Sequence, residues 1–222
     1  MLFEVLRDLL GRKRPAPASL SFLPMYDRDF APLLAQRAEG FRAIFERVEQ
    51  RAERHGARNN DPLLVETGTV RTRDNWAGDG QSTRLFDAYV SHHHGRCLTV
   101  DIDPAAALLA RELCSRRTEA TTGDSVRFLS ELSARLGERH IDLLYLDSFD
   151  LDPADARPSA LHHMKELTAV WRSLGPGTVI AVDDNPVLPD GTRIGKAMYV
   201  AQFFDDLGVV PFHTGYQLAW EL

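Results

Sequence analysis

The C-terminal stretch 209-VVPFHTGYQLAWEL-222 contains two apolar segments with no helix between them. The segments VVPFHT and YQLAWEL are separated by little more than a turn at Gly215, which predicts two adjacent strands. Upstream, five short apolar segments alternate with helical patterns, as is typical of a parallel sheet covered by helices on both faces. The sequence therefore predicts a doubly wound α/β fold with a seven-stranded, mostly parallel sheet that ends in an antiparallel hairpin.

The remaining elements follow from hydrophobic spacing and from helix start and stop signals. Residues 1–60 are predicted to form an N-terminal helical extension, interrupted by the linker GRKRPAPAS, and residues 61–222 to form the main domain. Strands are predicted at LLVET, CLTVDI, the segment before TGDS, IDLLYLD and TVIAVDD, and helices at STRLFDAYVSHHH, AAALLARELCSRR, VRFLSELSARLG, about 160–174 and 194–206.

The composition excludes several classes of protein. The chain has 222 residues with 26 Lys and Arg against 32 Asp and Glu, and the acidic excess lies in residues 61–222. An acidic main body argues against a nucleic-acid binder and indicates that the site involves a cation. No segment reaches the ~18 consecutive apolar residues of a membrane span, and the N-terminus lacks the order of a secretory signal. With Cys97 and Cys114 expected as free thiols, the predicted location is the cytoplasm.

Glycines and acidic residues follow the first two strands, where sheets of this kind bind ligands. Glu66 and Gly68 end the first strand, and 78-GDGQST-83 precedes a helix whose first amide groups have no helical partner. Asp101 ends the second strand 21 residues after Gly80, the spacing at which an acidic side chain binds a ribose hydroxyl in mononucleotide-binding units. This pattern favours a nucleoside site over a flexible loop with an ordinary strand-end carboxylate.

Asp124 and Ser125 follow the third strand and allow two interpretations. They either contact the edge of an adenine or cap the helix that begins after them, and the sequence favours neither. For Asp103, which precedes Pro104, a helix cap is the better interpretation.

A second group of polar residues ends the fourth and fifth strands. Asp147 ends the fourth strand, and Asp183, Asp184 and Asn185 end the fifth, so these side chains are expected to meet in one crevice. Gathered carboxylates repel one another unless a cation or a proton separates them. Oxygen ligands without Cys or His favour Mg²⁺ over Ca²⁺ or Mn²⁺, and this metal site is preferred to a solvated acidic rim.

Four motifs together resemble the class I S-adenosylmethionine-dependent methyltransferases: VETGT, VDIDP, LYLDS and VDDN. Within that family the resemblance is closest to metal-dependent O-methyltransferases of the catechol type and to sugar- and macrolide-modifying enzymes, and it covers about residues 62–222. It implies a Rossmann-like fold whose final hairpin carries the reversed seventh strand. It also implies S-adenosylmethionine and Mg²⁺ (or Mn²⁺) as cofactors.

The resemblance and the strand-end pattern together define a candidate site. The metal ligands implied are Asp147, Asp184 and Asn185, with Asp183 as their neighbour. The expected cofactor-binding residues are Glu66, Gly68, Thr69, Gly80, Gln81, Ser82, Asp101, Asp124, Ser125 and Asp147.

The chain departs from the catechol-type pattern at two places. TRDNWAGD, residues 72–79, is an insertion before Gly80, and Asp150 stands where the family often has a catalytic Lys or His. Asp150, with an ordinary pKa near ~3.9, matches a hydroxyl poorly unless a metal acidifies that hydroxyl. Either Asp150 accepts the proton, or it binds the metal and His162 or His163 is the base.

The expected function is transfer of a methyl group to a hydroxyl of a sugar, a glycan or a glycosylated natural product. One alternative is an NAD(P)-dependent oxidoreductase, since GDGQST followed by Asp101 partly imitates a dinucleotide fingerprint. Another is a non-catalytic nucleoside-binding module that docks through residues 1–60. The N-terminal helices either cover the site or mediate formation of a homo-oligomer.

Overall fold

The computed structural model describes residues 21–54, 61–78, 81–137 and 139–222. Four short helical turns, Leu23–Met25, Tyr26–Phe30, Ala31–Leu33 and Ala35–Arg37, lead into the first long helix. The strands are β1 Leu63–Thr67, β2 Arg96–Asp101, β3 Thr118–Thr122, β4 Leu143–Leu146, β5 Val179–Val182, β6 His213–Thr214 and β7 Leu218–Glu221. The helices are α1 Ala38–Arg54, α2 Ser82–His92, α3 Pro104–Leu113, α4 Ser125–Leu136, α5 Arg157–Val170, which a 3₁₀ turn Trp171–Ser173 extends, and α6 Met198–Asp206.

The seven strands form one sheet in the order β3-β2-β1-β4-β5-β7-β6. The first five strands are parallel, whereas β7 runs antiparallel to both of its neighbours and pairs Ile180 of β5 with Trp220. The chain moves outward from β1 to β3 and then returns to the other side of β1 with β4. The carboxyl ends of β1 and β4 thus flank the point where the strand order reverses, which is where open α/β sheets bind ligands.

The central strands are buried on both faces because successive side chains point to opposite sides of a sheet. In β5, Ile180 and Val182 join the core under α4, α5 and α6, while Val179 and Ala181 join the core under α1 and α2. In a strand that is buried on both faces, every side chain lies in the core, so apolar and polar residues need not alternate. This explains the continuous apolar segments in the sequence.

The N-terminal segment packs onto one face of the sheet through aromatic side chains. Phe45 of α1 stacks on Tyr89 of α2 with ring centroids 4.8 Å apart, and Phe41 stacks on Tyr145 of β4 at 5.4 Å. Phe22 and Tyr26 are fully buried in the same cluster. Residues 21–54 therefore share a core with the main domain. The linker and the first predicted helix lie outside the described residues, and the boundary at residue 60 stays a prediction.

The predicted fold class is confirmed: the sheet has seven strands, is mostly parallel and ends in antiparallel strands. One helix begins later than predicted, at Met198 rather than residue 194, because Lys196 and Ala197 are hydrogen-bonded back to Asp184 and Asn185. Within the described residues, no helix has the length and apolar character needed to cross a bilayer.

Candidate cofactor and acceptor site

A cleft opens at the carboxyl ends of β1, β2 and β4. It is lined by Gly68, Thr69, Val70, Arg71, Ser82, Asp101, Asp147 and Ser148. Five of the residues predicted to bind the cofactor are in that lining. The structure therefore gathers residues from distant parts of the sequence at the reversal point of the sheet.

Gly68 makes the close approach of β1 and β4 possible. Its φ is +82°, and a Cβ at this position would lie 2.5 Å from the carbonyl oxygen of Asp147. The Gly68 amide donates to the Val100 carbonyl at 2.9 Å, and the Thr99 hydroxyl donates to the Gly68 carbonyl at 2.9 Å. The backbone at Gly68 thus lies between the ends of β2 and β4. Because Gly68 has no side chain, it leaves space for a ligand to approach the backbone.

Glu66 fastens β1 to the start of α2. Its buried carboxyl group accepts hydrogen bonds from the Ser82 hydroxyl at 2.6 Å and the Thr83 hydroxyl at 2.8 Å. Burial raises the pKa of Glu66 to about 7, although these hydroxyls and that of Thr99 oppose the shift. Glu66 is therefore a positioning residue for the first turn of α2.

Asp101 is held at the cleft by two backbone amides. One carboxylate oxygen accepts from the Thr69 amide at 3.1 Å and the other from the Asp103 amide at 2.8 Å. Each carboxylate oxygen has a second lone pair, so Asp101 can still accept hydrogen bonds from a ligand hydroxyl. This geometry fits a pair of ribose hydroxyls.

The loop before α2 is fastened to the rest of the site. Gln81 has a left-handed backbone with φ +49° and donates its side-chain amide to the Thr72 carbonyl at 2.6 Å. Trp76 packs against Phe30, and the Arg84 guanidinium lies 4.8 Å from its ring centroid. The described part of the insertion therefore packs against the N-terminal segment and the start of α2. Gly80 lies outside the described residues.

The residues after β3 do not line the cleft. Asp124 is exposed and caps α4 by accepting from the Arg127 amide at 2.8 Å. Ser125 is buried, and its hydroxyl lies 2.9 Å from Nε2 of His162. Of the two interpretations of this pair, the geometry matches the helix cap, and contact with an adenine stays a prediction.

Three carboxylates meet at the ends of β4 and β5, together with two cations from the chain itself. Lys196 Nζ lies 2.5 Å from Asp147 Oδ1 and 2.8 Å from Asp184 Oδ2. Arg37 bridges Asp183 and Asp184 with two contacts of 2.8 Å. Burial lowers the pKa of Lys196, but Asp147 and Asp184 outweigh it, so the pKa lies above its ordinary value and the ammonium stays charged.

Asn185 is turned away from this cluster. Its amide nitrogen donates to the carbonyls of Val182 and Asp183, at 2.9 and 3.0 Å, and its oxygen accepts from the Ala197 amide at 2.9 Å. The side chain is 2% exposed. Asn185 therefore joins the end of β5 to the start of α6. This corrects the expectation that its oxygen faces a metal.

The three candidate bases do not converge on the cleft. Asp150 is exposed and paired with Arg71 at 2.9 Å, and this hydrogen bond lowers the pKa of Asp150 below its ordinary value. His163 is fully buried, donates from Nδ1 to the Ser159 carbonyl at 2.7 Å, and has a pKa lowered to about 4 by burial. His162 contacts Ser125 and lies 3.3 Å from Glu166. The geometry thus supports neither histidine as a group in contact with a substrate in the cleft.

Four residues of this site were not predicted from the sequence. Arg37 and Lys196 neutralise the carboxylates, and Tyr216 lies under the Arg37 guanidinium at 4.7 Å. Glu166, which is fully buried, accepts from Thr67 at 3.1 Å and Ser148 at 2.6 Å and so joins α5 to β1 and to the segment after β4. The only sequence signal for Lys196 was its place after the polar segment GTRIG, and nothing local marked Arg37.

The predicted magnesium ligands do not fit a metal as they are arranged. Both oxygens of Asp184 contact Arg37 or Lys196, and those of Asp183 accept from Arg37 and the Asp184 amide. Mg²⁺ requires near-octahedral oxygen ligands at ~2.0–2.1 Å. Among the described residues, no group of three or more His, Cys, Asp or Glu side chains is placed to hold a metal ion.

Comparison with known proteins finds similarity to methyltransferases. A family model described as a methyltransferase domain matches residues 77–185. A search of curated proteins returns no match. Solved structures with the same fold, all under a fifth identical in sequence, include two enzymes of natural-product biosynthesis.

The first is the MycE methyltransferase from the mycinamycin biosynthetic pathway, in complex with Mg and SAH. It is 17% identical, with a TM-score of 0.55, over 94% of this chain and 55% of that one. A complex of the same enzyme with Mg, SAH and mycinamycin VI has a TM-score of 0.50 and 17% identity over 78% of this chain and 48% of that one. The chain therefore spans about half the length of MycE.

The second is CalS11 in its apo form, described as a TDP-rhamnose 3'-O-methyltransferase of calicheamicin biosynthesis. It is 16% identical, with a TM-score of 0.54, over 98% of this chain and 91% of that one. At these identities the likeness establishes the fold alone. The matched residues 77–185 are just under half of the chain, so the comparisons show a similarity to methyltransferase domains, in a sheet whose reversed seventh strand lies between β5 and β6.

Proposed function

We propose that this protein transfers a methyl group from S-adenosylmethionine to a hydroxyl of a sugar, a glycan or a glycosylated natural product. The observation that carries the proposal is the double role of Asp147. It lines the cleft with Gly68 and Asp101, and it also belongs to the carboxylate cluster at the end of β5. The cofactor cleft and a charged acceptor region are thus adjacent and share one side chain.

The chain's residues account for cofactor binding in this proposal. Gly68 leaves room for the cofactor, and Asp101 accepts hydrogen bonds from its ribose hydroxyls. Ser82, held by Glu66, presents the start of α2 to the cleft. When bound, S-adenosylmethionine supplies an electrophilic methyl group on a positively charged sulfur.

The acceptor side of the site contributes position and charge. Asp147 Oδ1 contacts Lys196, whereas Oδ2 has no protein partner among the described residues and the side chain is 18% exposed. We assign to Oδ2 the hydrogen bond from the acceptor hydroxyl, which would orient one oxygen lone pair for direct displacement. The bound cofactor would supply its methyl group to the acceptor oxygen with cleavage of the carbon–sulfur bond, and the hydroxyl proton would pass to a carboxylate or to water.

The acceptor class rests on similarity. CalS11 is described as a TDP-rhamnose 3'-O-methyltransferase, and MycE was solved in complex with mycinamycin VI. The chain covers 91% of CalS11, so the two are comparable in extent. We therefore include nucleotide-linked deoxysugars among the acceptors to be tested first. Mg²⁺ is left out of the proposal, because the expected ligands already have partners within the chain.

The proposal also includes a cytoplasmic location. Cys97 and Cys114 are both free thiols, as expected in a reducing compartment.

The test is an assay of S-adenosylhomocysteine formation with nucleotide-linked and glycoside acceptors, with product masses recorded. A mass increase of one methyl group on an acceptor oxygen supports the proposal. Asp101→Asn should weaken cofactor binding by about ten- to a hundredfold, because it removes charged hydrogen bonds to ribose. Asp206→Asn on the exposed end of α6 is the matched control and should bind the cofactor like the wild type.

The same experiments separate the alternatives. Saturable binding of NADH with no binding of S-adenosylhomocysteine would favour an oxidoreductase. Tight binding of S-adenosylhomocysteine with no turnover on any acceptor would favour a non-catalytic module. Methylation of a nitrogen or carbon atom would contradict the O-methyltransferase assignment while leaving the family unchanged.

A further inference from the structure

The ammonium group of Lys196 lies where the ends of β4 and β5 bring two carboxylates together. The side chain is fully buried, and Nζ contacts one oxygen each of Asp147 and Asp184. Those two carboxylates are also the pair between which a divalent ion was expected. An ammonium group and a metal ion cannot share this position.

The backbone around Lys196 holds the ammonium in place. The Lys196 amide donates to the Asp184 carbonyl at 3.2 Å, and the next amide, of Ala197, donates to Asn185 Oδ1 at 2.9 Å. Gly195 has φ +156°, and a Cβ there would lie 2.4 Å from the Asp184 carbonyl oxygen. The segment before α6 is therefore fastened directly to the end of β5. Lys196 cannot leave the cluster by a simple swing of a surface side chain.

Arg37 completes the neutralisation from a different part of the chain. Its guanidinium contacts Asp183 and Asp184 and also donates to the Gly78 carbonyl at 3.0 Å. Three carboxylates thus face two permanent cations. Displacement of Lys196 by a metal would leave a buried ammonium without a counter-charge, which is strongly unfavourable.

We propose that Lys196, supported by Arg37, takes the place of the divalent ion in this site, so that the cluster binds neither Mg²⁺ nor Mn²⁺. Lys196 then acts as a positioning residue: it holds Asp147 so that the free Oδ2 faces the cleft. The inference concerns the same site as the proposed function and deepens it. The binding of metal is measured without methyl transfer, so the two proposals fail independently.

The first experiment is a titration of the wild-type protein with Mn²⁺, followed by the electron paramagnetic resonance signal of the free ion. We expect the signal to match that of buffer with the same Mn²⁺ concentration, before and after addition of S-adenosylhomocysteine. Stoichiometric loss of the signal in either state would overturn the proposal. This measurement needs no substitution and does not depend on how any variant folds.

The second experiment removes the ammonium. Lys196→Met leaves Asp147 and Asp184 without their shared cation, and the folded variant should bind Mn²⁺ at least about tenfold more tightly than the wild type. Adding Asp184→Asn to this variant should abolish the gain. Lys165→Met, at an exposed lysine on α5, is the matched control and should leave Mn²⁺ binding unchanged.

Circular dichroism and S-adenosylhomocysteine binding show whether each variant is folded. A folded Lys196→Met variant that gains no Mn²⁺ affinity would contradict the claim that the ammonium occupies the ion position. If that variant does not fold, the wild-type titration alone decides. Lys196→Arg, which keeps the charge, should then restore folding and remain free of bound Mn²⁺.

Discussion

Arg37 and Asp183 form a buried ion pair between positions 146 residues apart in the sequence. Nε of Arg37 lies 2.8 Å from Oδ2 of Asp183, and the two side chains are 6% and 1% exposed. Arg37 ends the last helical turn before α1, and Asp183 follows β5 directly. The pair therefore joins the N-terminal segment to the carboxyl end of β5.

Arg37→Ala should strongly destabilise the protein, because it leaves the Asp183 carboxylate buried without its cation. The expected loss in free energy of unfolding is about 3–5 kcal/mol. Arg42→Ala removes an exposed pair with Asp27 and is the matched control, with an expected loss below about 1 kcal/mol. Urea unfolding measures the free energy of unfolding of both variants. Equal losses would show that the buried ion pair stabilises the protein no more than the exposed pair does.

Gly68→Ala should impair cofactor binding as well as stability. The new methyl group would clash with the Asp147 carbonyl, and φ of +82° is unfavourable for alanine. Gly191→Ala has a similar φ of +85° but open space around the Cβ, so it isolates the backbone effect. By calorimetry, we expect S-adenosylhomocysteine affinity to fall at least about tenfold in the first variant and to stay unchanged in the second. Similar S-adenosylhomocysteine affinities in both variants would rule out binding of the cofactor against the backbone at Gly68.

Glu66 makes stability depend on pH in a defined direction. Its pKa is raised by burial to about 7 in the folded state, so between about 4.5 and 7 the folded protein binds more protons than the unfolded chain. This contribution to stability is complete at lower pH and is lost as pH rises through about 7. Glu66→Gln should therefore reduce this decline in the free energy of unfolding with pH, which is of the order of 3 kcal/mol.

The measurement for Glu66 is chemical unfolding at a series of pH values. Glu112→Gln, which removes an exposed pair with Arg73, should keep the wild-type slope. An unaltered slope in Glu66→Gln would show that the carboxyl is ionised in the folded protein at lower pH than its burial implies.

Asp150→Asn tests the first of the three candidate bases. Because Arg71 lowers the pKa of Asp150 and the side chain is 69% exposed, we expect kcat to fall by less than about tenfold. The pH profile of kcat between about pH 6 and pH 9 should keep its shape, since a carboxylate with a lowered pKa is already ionised there. A larger loss of kcat with unchanged cofactor binding would instead identify Asp150 as the proton acceptor.

The strands were predictable because their signal is local. In β4 and β5 every residue is buried, and the continuous apolar segments that this requires are visible in the sequence. The helix caps were visible too: Asp103 caps α3 by accepting from the Ala105 amide at 2.8 Å, as the adjacent Pro104 indicated. The carboxyl ends of the strands, and hence the place of the cleft, followed from the order of elements.

Partners that are distant in sequence were not predictable. Nothing in the run of three histidines, 92–94, indicates a buried partner, yet His93 is 8% exposed with its Nε2 3.0 Å from Glu49 of α1. Asn185 was expected to bind a metal because it ends the motif VDDN, whereas its side-chain oxygen accepts from the Ala197 amide at the start of α6. In each case the deciding contact comes from another element that packs against the residue.

The order of apolar and polar residues was enough to determine the sheet, its reversed last strand and the acidic character of one sheet edge. Only the folded chain decided what neutralises that edge. Buried carboxylates need positive charge from some source, and electrostatics does not distinguish a bound ion from a lysine or an arginine. That choice depends on which side chains the packing of α1 and the start of α6 carries to Asp147, Asp183 and Asp184.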